Sequence, residues 1–283
     1  MAQQLTAPAI RARKTGPAVV MVTAYDHPGA RIADEAGVDI ILVGDSVAMV
    51  VLGYDDTLQV TVTDMAHHVG AVARARPHAM VVADLPWLSY HVSPAETVRN
   101  AGVLVRAGAQ AVKLEGGSRA RVEMVEALVS AEIPVMGHLG LTPQSVHTMG
   151  GYRVQGSEVD SAGALVASAR ALAAGGCFSI VLEGIPAEVA RLVTADVEVP
   201  TIGIGAGAHC DGQVLVFHDL LGLEDRVVPK FVRPYASLKS DAVAAVAAFA
   251  DDVRSGRFPD ERESYHLDAD TARALNPGTT RSA

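Results

Sequence analysis

At 283 residues, 49% of them hydrophobic and only 19% charged, the chain can bury a sizeable core in one large α/β domain or two ordinary ones. The net charge of -9, without a basic stripe, argues against nucleic acid as a partner, and no run approaches the roughly 18 apolar residues of a membrane span. Residues 1–16 lack the apolar stretch of a secretory signal, and Cys177 and Cys210 cannot make a disulfide framework, so a cytoplasmic protein is expected.

Residues 1–15 predict a short helix at the bottom of the fold. From residue 19 to 255, β-branched apolar runs then alternate with longer Ala-, Val- and Leu-rich stretches, the pattern of parallel β/α units. The runs predict strands at 19–25, 40–45, 80–84, 111–115, 134–138, 179–183, 200–204 and 214–218. Helices are expected at 28–36, 63–75, 94–107, 119–131, 160–174, 186–195 and 236–254. The helix at 94 is marked best, with Ser93 as cap, Pro94 at the first position and Glu96 three residues after the cap. Gly37, Gly108 and Gly175 fall where left-handed caps end helices. The domain is expected to span 1–261, followed by a polar, aperiodic tail from 262 to 283 that is expected to be mobile.

Five of the apolar runs end in polar chemistry: Asp45 and Ser46, Asp84, Lys113 and Glu115, His138, and Glu183. An open doubly wound sheet gathers its ligand at one switch point, whereas strands two to six all carry polar ends here. That distribution favours a closed (β/α)8 TIM barrel whose mouth collects them.

Asp45, Asp84 and Glu115 lie on neighbouring strands, where three carboxylates would repel one another. An all-oxygen set of that kind suits Mg²⁺, with Mn²⁺ as the alternative; each carboxylate read singly is also a helix cap or salt-bridge partner. Lys113 shares the face of Glu115 and serves either to neutralise a substrate carboxylate or enolate or to balance interior charge. Ser46 reads as a carboxylate-holding hydroxyl or as a turn residue. Glu183 follows Ile180-Val181-Leu182, apolar company that disfavours a charged carboxylate and suits a general base for a carbon acid; a structural partner for an Arg is the other reading. His138 either orients the substrate or is a satisfied core histidine.

Three other features point away from chemistry. Gly203–Ala208 fits a loose GxGxxA pattern, but too few residues separate it from the next strand for the helix a dinucleotide needs. His67 and His68 have no second ligand pair, and Cys177 reads as a small buried thiol.

With VTAYD, LVGDS, ADLP, KLEGG, GHLGLTPQSV, GGYRVQG, VLEGIP, IGIGAG, DGQVLVFHDLLGL and PKFVRPY in place from about residue 19 to 266, the chain resembles the ketopantoate hydroxymethyltransferases. GHLGLTPQ and the DGQVLV stretch are the specific motifs. The resemblance implies a barrel of the phosphoenolpyruvate/pyruvate superfamily type that moves a hydroxymethyl group from 5,10-methylenetetrahydrofolate to 3-methyl-2-oxobutanoate through a Mg-stabilised enolate, the first step of pantothenate synthesis. It places metal ligands at Asp45, Asp84 and Glu115, substrate contacts at Asp45, Ser46, Asp84 and Lys113, and the proton acceptor at Glu183. It also implies a homodecamer built as a pentamer of dimers. Gly184 and His147 stand where the family often has Cys and Asn, and neither position carries a transferred role.

The nearest rival is a Mg-dependent C-C or P-C lyase of the phosphoenolpyruvate mutase or isocitrate lyase type. A glycosidase using Glu115 and Glu183 is disfavoured by 4% aromatic residues and a single Trp. A non-catalytic barrel would leave the ring of carboxylates without a purpose.

Overall fold

A computed structural model of the protein describes residues 4–225 and 229–275. Eight parallel strands close into a barrel in sequence order. They are β1 (Val19–Thr23), β2 (Ile40–Val43), β3 (Met80–Asp84), β4 (Ala111–Glu115), β5 (Val135–Gly140), β6 (Ser179–Glu183), β7 (Thr201–Ile204) and β8 (Gly212–Leu215). The helices of this unit are α1 (Ala7–Arg11), α2 (His27–Glu35), α3 (Val47–Val50), α4 (Val62–Ala73), α5 (Pro94–Ala107), α6 (Arg119–Ser130), α7 (Val146–Met149), α8 (Val159–Ala174), α9 (Ala187–Asp196) and α10 (Phe217–Leu221).

The unbroken apolar runs follow from a sheet covered on both faces. Ile40, Leu42, Met80, Val82, Ala111 and Met136 fill the barrel, while Ile41, Val43, Val81, Ala83, Val112 and Leu114 alternate with them and pack under the helices. Lys113 and Glu115 share the parity of Ala111 and therefore face inward. The predicted bottom helix is α1, whose Ala7 and Ile10 join the interior cluster. Leu5 N–H donates to His78 O (2.8 Å), and Lys14 bonds Thr194 O and Asp211.

Helix starts follow their sequence marks. Ser93 accepts from Glu96 N–H to cap α5, and Thr61 and Asp64 form a reciprocal capping box on α4. Gly108, at φ +121°, ends α5 as the sequence predicts. The largest departure is at strand eight, which was expected at 214–218. The strand begins two residues earlier, at Gly212, and Phe217 and His218 belong to α10. Gly212 is required there because a Cβ would collide with the Val19 backbone of β1. β2 likewise stops at Val43, so that Asp45 and Ser46 lie in the turn leading to α3. Gly203–Ala208 runs from β7 into a loop, with no helix before β8.

By packing, the chain divides into two compact units, residues 1–235 and 236–283. The second unit holds α11 (Leu238–Arg254), in which no residue is buried. Phe249 packs against Phe258 with ring centroids 5.2 Å apart, and Arg257 pairs with Asp252. A further short helix, α12 (Ala269–Leu275), forms inside the tail expected to be aperiodic; residues 276–283 of that tail lie outside the described residues. No helix among the described residues is long and apolar enough to cross a membrane.

Candidate active site

Strand register decides which polar ends meet. Asp84 stands opposite Lys113 on the next strand, and Glu115 stands opposite His138. Lys113 Nζ lies 2.8 Å from Asp84 Oδ1, with both side chains 5% exposed or less. Burial works against the ammonium, but Asp84, Glu115 and Asp45 outweigh it and hold Lys113 above its ordinary range. Asp84 turns its other oxygen to the backbone N–H of Asp45 (3.1 Å), which ties β3 to the turn after β2.

His138 joins the two halves of the site. Its Nδ1 is 3.3 Å from Glu115 Oε1 and its Nε2 is 3.2 Å from Glu183 Oε2, the latter close in distance without hydrogen-bond alignment. Burial and the adjacent Lys113 push the imidazole down, yet the two carboxylates win and raise it to about 9. Lys113 Nζ lies within hydrogen-bond distance of Nδ1, at 3.2 Å, with Asp84 and Glu115 on either side. Glu183 is one imidazole away from Glu115. It is also the most open of these side chains, at 18% against 3% for Glu115.

Gly140 makes this arrangement possible. It sits opposite Glu183 at φ +99°, and a Cβ there would strike the Glu183 carbonyl and Ile185, so only glycine lets β5 and β6 end together.

The structure adds residues that sequence reasoning passed over. Gln144, in the turn after β5, donates its backbone N–H to Glu115 Oε2 (3.0 Å) and its side-chain amide to Asp45 Oδ2 (2.8 Å) and Leu85 O (3.0 Å). Its Oε1 accepts from the Tyr90 hydroxyl (2.6 Å), which also accepts from Glu115 N–H (3.2 Å). One residue, through its backbone N–H and its side chain, thus braces two of the predicted metal-site carboxylates. Ser46 hydrogen-bonds the Tyr25 hydroxyl (2.9 Å). Gln144 stands within GHLGLTPQ and Tyr25 within VTAYD, but neutral polar groups in loops carry no charge pattern to single them out.

Among the described residues no group of three or more His, Cys, Asp and Glu is arranged ready to hold a metal ion. Gln144 and Lys113 instead occupy carboxylate oxygens of the trio. The donor set nonetheless fits a hard divalent cation: it is all oxygen, and its negative charge is incompletely balanced. Burial, Asp84 and Glu115 together push the Asp45 carboxyl well above its usual range, the strain a cation would relieve.

A family model described as ketopantoate hydroxymethyltransferase matches residues 4–261. The chain is 56% identical over 266 residues to the 3-methyl-2-oxobutanoate hydroxymethyltransferase 2 of Bradyrhizobium diazoefficiens, covering 94% of this chain and 90% of that protein. It is 59% identical to the 3-methyl-2-oxobutanoate hydroxymethyltransferase of Ignicoccus hospitalis, covering 88% and 94%. Among solved structures, the phosphoenolpyruvate phosphomutase of Streptomyces platensis superposes with a TM-score of 0.61 at 17% identity over 96% of each chain. A phosphonopyruvate hydrolase solved with oxalate and Mg²⁺ gives 0.60 at 14%, covering 98% of this chain and all of that one. At such identities the structures speak to the fold alone. The barrel is a closed eight-stranded TIM barrel, the fold it shares with these solved structures.

Proposed function

The chain belongs to the ketopantoate hydroxymethyltransferase family, and from that premise we propose that it transfers a hydroxymethyl group from 5,10-methylenetetrahydrofolate to 3-methyl-2-oxobutanoate, giving 2-dehydropantoate at the entry to pantothenate synthesis. One observation carries the chemistry: Glu183, a carboxylate still open to the mouth, is joined through His138 to the buried Glu115, Lys113 and Asp84.

Glu183 takes the C3 proton of the 2-oxo acid. His138, between Glu115 and Glu183, stands beside the Glu183 carboxylate at 3.2 Å as it accepts that proton. Lys113 supplies positive charge where the ketone oxygen gains electron density, and Asp84 holds its ammonium in place. Ser46, oriented by Tyr25, receives the substrate carboxylate. Asp45, Asp84 and Glu115 would hold Mg²⁺, which when bound withdraws electron density from the 2-oxo acid and acidifies C3–H. Carbon 3 then bonds to the donor's methylene carbon as that carbon's two C–N bonds break, water supplies the product hydroxyl, and the proton taken from C3 and the second proton of water go to the two folate nitrogens, leaving tetrahydrofolate. Ion pairing and burial, rather than bulk solvent, set the charge balance for these steps.

The same reading assigns the protein to the cytoplasm, in keeping with two free thiols, and to a homodecamer, in keeping with the apolar Val243, Val246 and Phe249 exposed on α11. The test is proton NMR of 3-methyl-2-oxobutanoate in D₂O. Wild-type enzyme with Mg²⁺ is expected to erase the C3 proton signal, chelation to stop the exchange, and Glu183→Gln to abolish it while 2-oxo acid binding persists. Exchange at the wild-type rate in Glu183→Gln removes Glu183 from the role of base.

A further inference from the structure

Group transfer between two substrates needs a second binding place beside the first. The carboxylate cluster draws its side chains from the ends of β2 to β6, and the sector of the mouth over β8 and β1 reaches it only through Tyr25, whose hydroxyl bonds Ser46. That sector holds a cavity of about 500 Å³, within the range of small-molecule sites. Its walls come from the β1–α2 loop, the chain after α3, α4, and the start of α10. Phe217 N–H donates to Thr23 Oγ1 (2.9 Å), pinning α10 to the end of β1.

Two polar groups in these walls, on His68 and Asp26, are placed to accept. His68 Nδ1 lies 2.7 Å from the Tyr25 carbonyl, and because a carbonyl can only accept, the ring proton sits on Nδ1 and leaves Nε2 as an acceptor. Asp26 spends one carboxylate oxygen on Gly29 N–H (2.7 Å), and its other oxygen has no hydrogen bond among the described residues. His218 keeps a buried Nδ1 without a partner. The remaining lining is flat or aliphatic: the Tyr25 and His218 rings lie 5.6 Å apart, with Phe217, Ile32 and Ala71 beside them. Such a site selects a planar nitrogen heterocycle with adjacent N–H donors and rejects an anion. The aminopyrimidinone edge of a reduced pteridine presents that donor pattern.

We propose that this cavity holds the pteridine of the folate donor, with its N–H edge on Asp26 and His68 and its one-carbon end directed past Tyr25 toward Ser46. The assignment rests on the folate reading above. Tyr25 then serves both substrates at once: its hydroxyl holds Ser46, its carbonyl holds His68, and its ring forms the partition.

The test is calorimetric binding of 5-formyltetrahydrofolate to the full-length protein. Ala71→Phe fills the cavity from α4 and is expected to weaken binding at least ten-fold. Ile32→Trp fills it from the half-exposed opposite wall and gives the same answer should the first variant fold poorly; melting curves serve as the folding control. Ala164→Phe, which fills the smaller cavity of about 250 Å³ beside Gly140 and Thr142, is expected to leave binding unchanged. Wild-type affinity in both Ala71→Phe and Ile32→Trp overturns the assignment while leaving the folate reading intact, as does loss of binding only in Ala164→Phe. No binding by the wild-type protein overturns both.

Discussion

Replacing Tyr90 by Phe removes one oxygen and strands two buried groups. Gln144 Oε1 loses its donor at 2.6 Å and Glu115 N–H loses its acceptor at 3.2 Å. Each unsatisfied buried group costs about 1–3 kcal/mol, so the variant is expected to lose about 2–6 kcal/mol. Gln144→Leu removes a charge-assisted bond to Asp45, a bond to Leu85 O and the acceptor of the Tyr90 hydroxyl, for about 3–5 kcal/mol. The two losses share the Tyr90–Gln144 bond, so the double variant is expected to fall short of their sum by about 1–2 kcal/mol. Urea unfolding of the metal-free protein, followed by circular dichroism on all four corners of the cycle, measures that coupling. Additive losses, within about 0.3 kcal/mol, would show that Tyr90 and Gln144 do not act as one brace.

Lys113→Met leaves Asp84 charged and buried without its counter-ion, so about 3–5 kcal/mol of stability is expected to be lost, with partial recovery in Lys113→Met/Asp84→Asn. Loss under about 1 kcal/mol in the single variant would mean that the ion pair is not what holds the charge in the barrel. Burial pushes the Cys177 thiol from 9.0 up to about 12. Below pH 9 both states keep the proton; above it only the unfolded chain ionises, so stability falls by about 1.4 kcal/mol per pH unit toward pH 12. The difference between wild type and Cys177→Ala, measured by urea melts, is expected to shift by about that amount between pH 8 and pH 10, and parallel curves would refute the burial argument.

The site was legible because charge at the end of a buried run contradicts the run. Asp45, Asp84, Glu115, Lys113 and Glu183 announce themselves as exceptions to a pattern, and parity alone turns Lys113 and Glu115 inward. His138 announced itself less clearly, and only the register of β4 against β5 places it on Glu115. Gln144, Tyr90 and Tyr25 contradict nothing locally; their meaning lies in contacts to residues 99, 54 and 21 positions away. Strand eight was misplaced for a similar reason. Gly212 and Gln213 have little strand propensity, and what makes them a strand is the close approach of β1, a neighbour almost two hundred residues upstream.

The closure of the barrel floor sets an order of events during synthesis. Leu5 and Lys14 leave the ribosome well before their partners: His78 for Leu5, and Thr194 and Asp211 for Lys14. Until residue 211 has emerged, Ala7 and Ile10 have no finished interior to enter, and the leading segment waits as an exposed amphipathic stub. Contacts of such long sequence separation slow folding and lengthen the time during which unfinished strands can pair wrongly. Bulk added at Ala7 or Ile10 would therefore act at the last step of assembly, on the floor of the barrel rather than at its mouth.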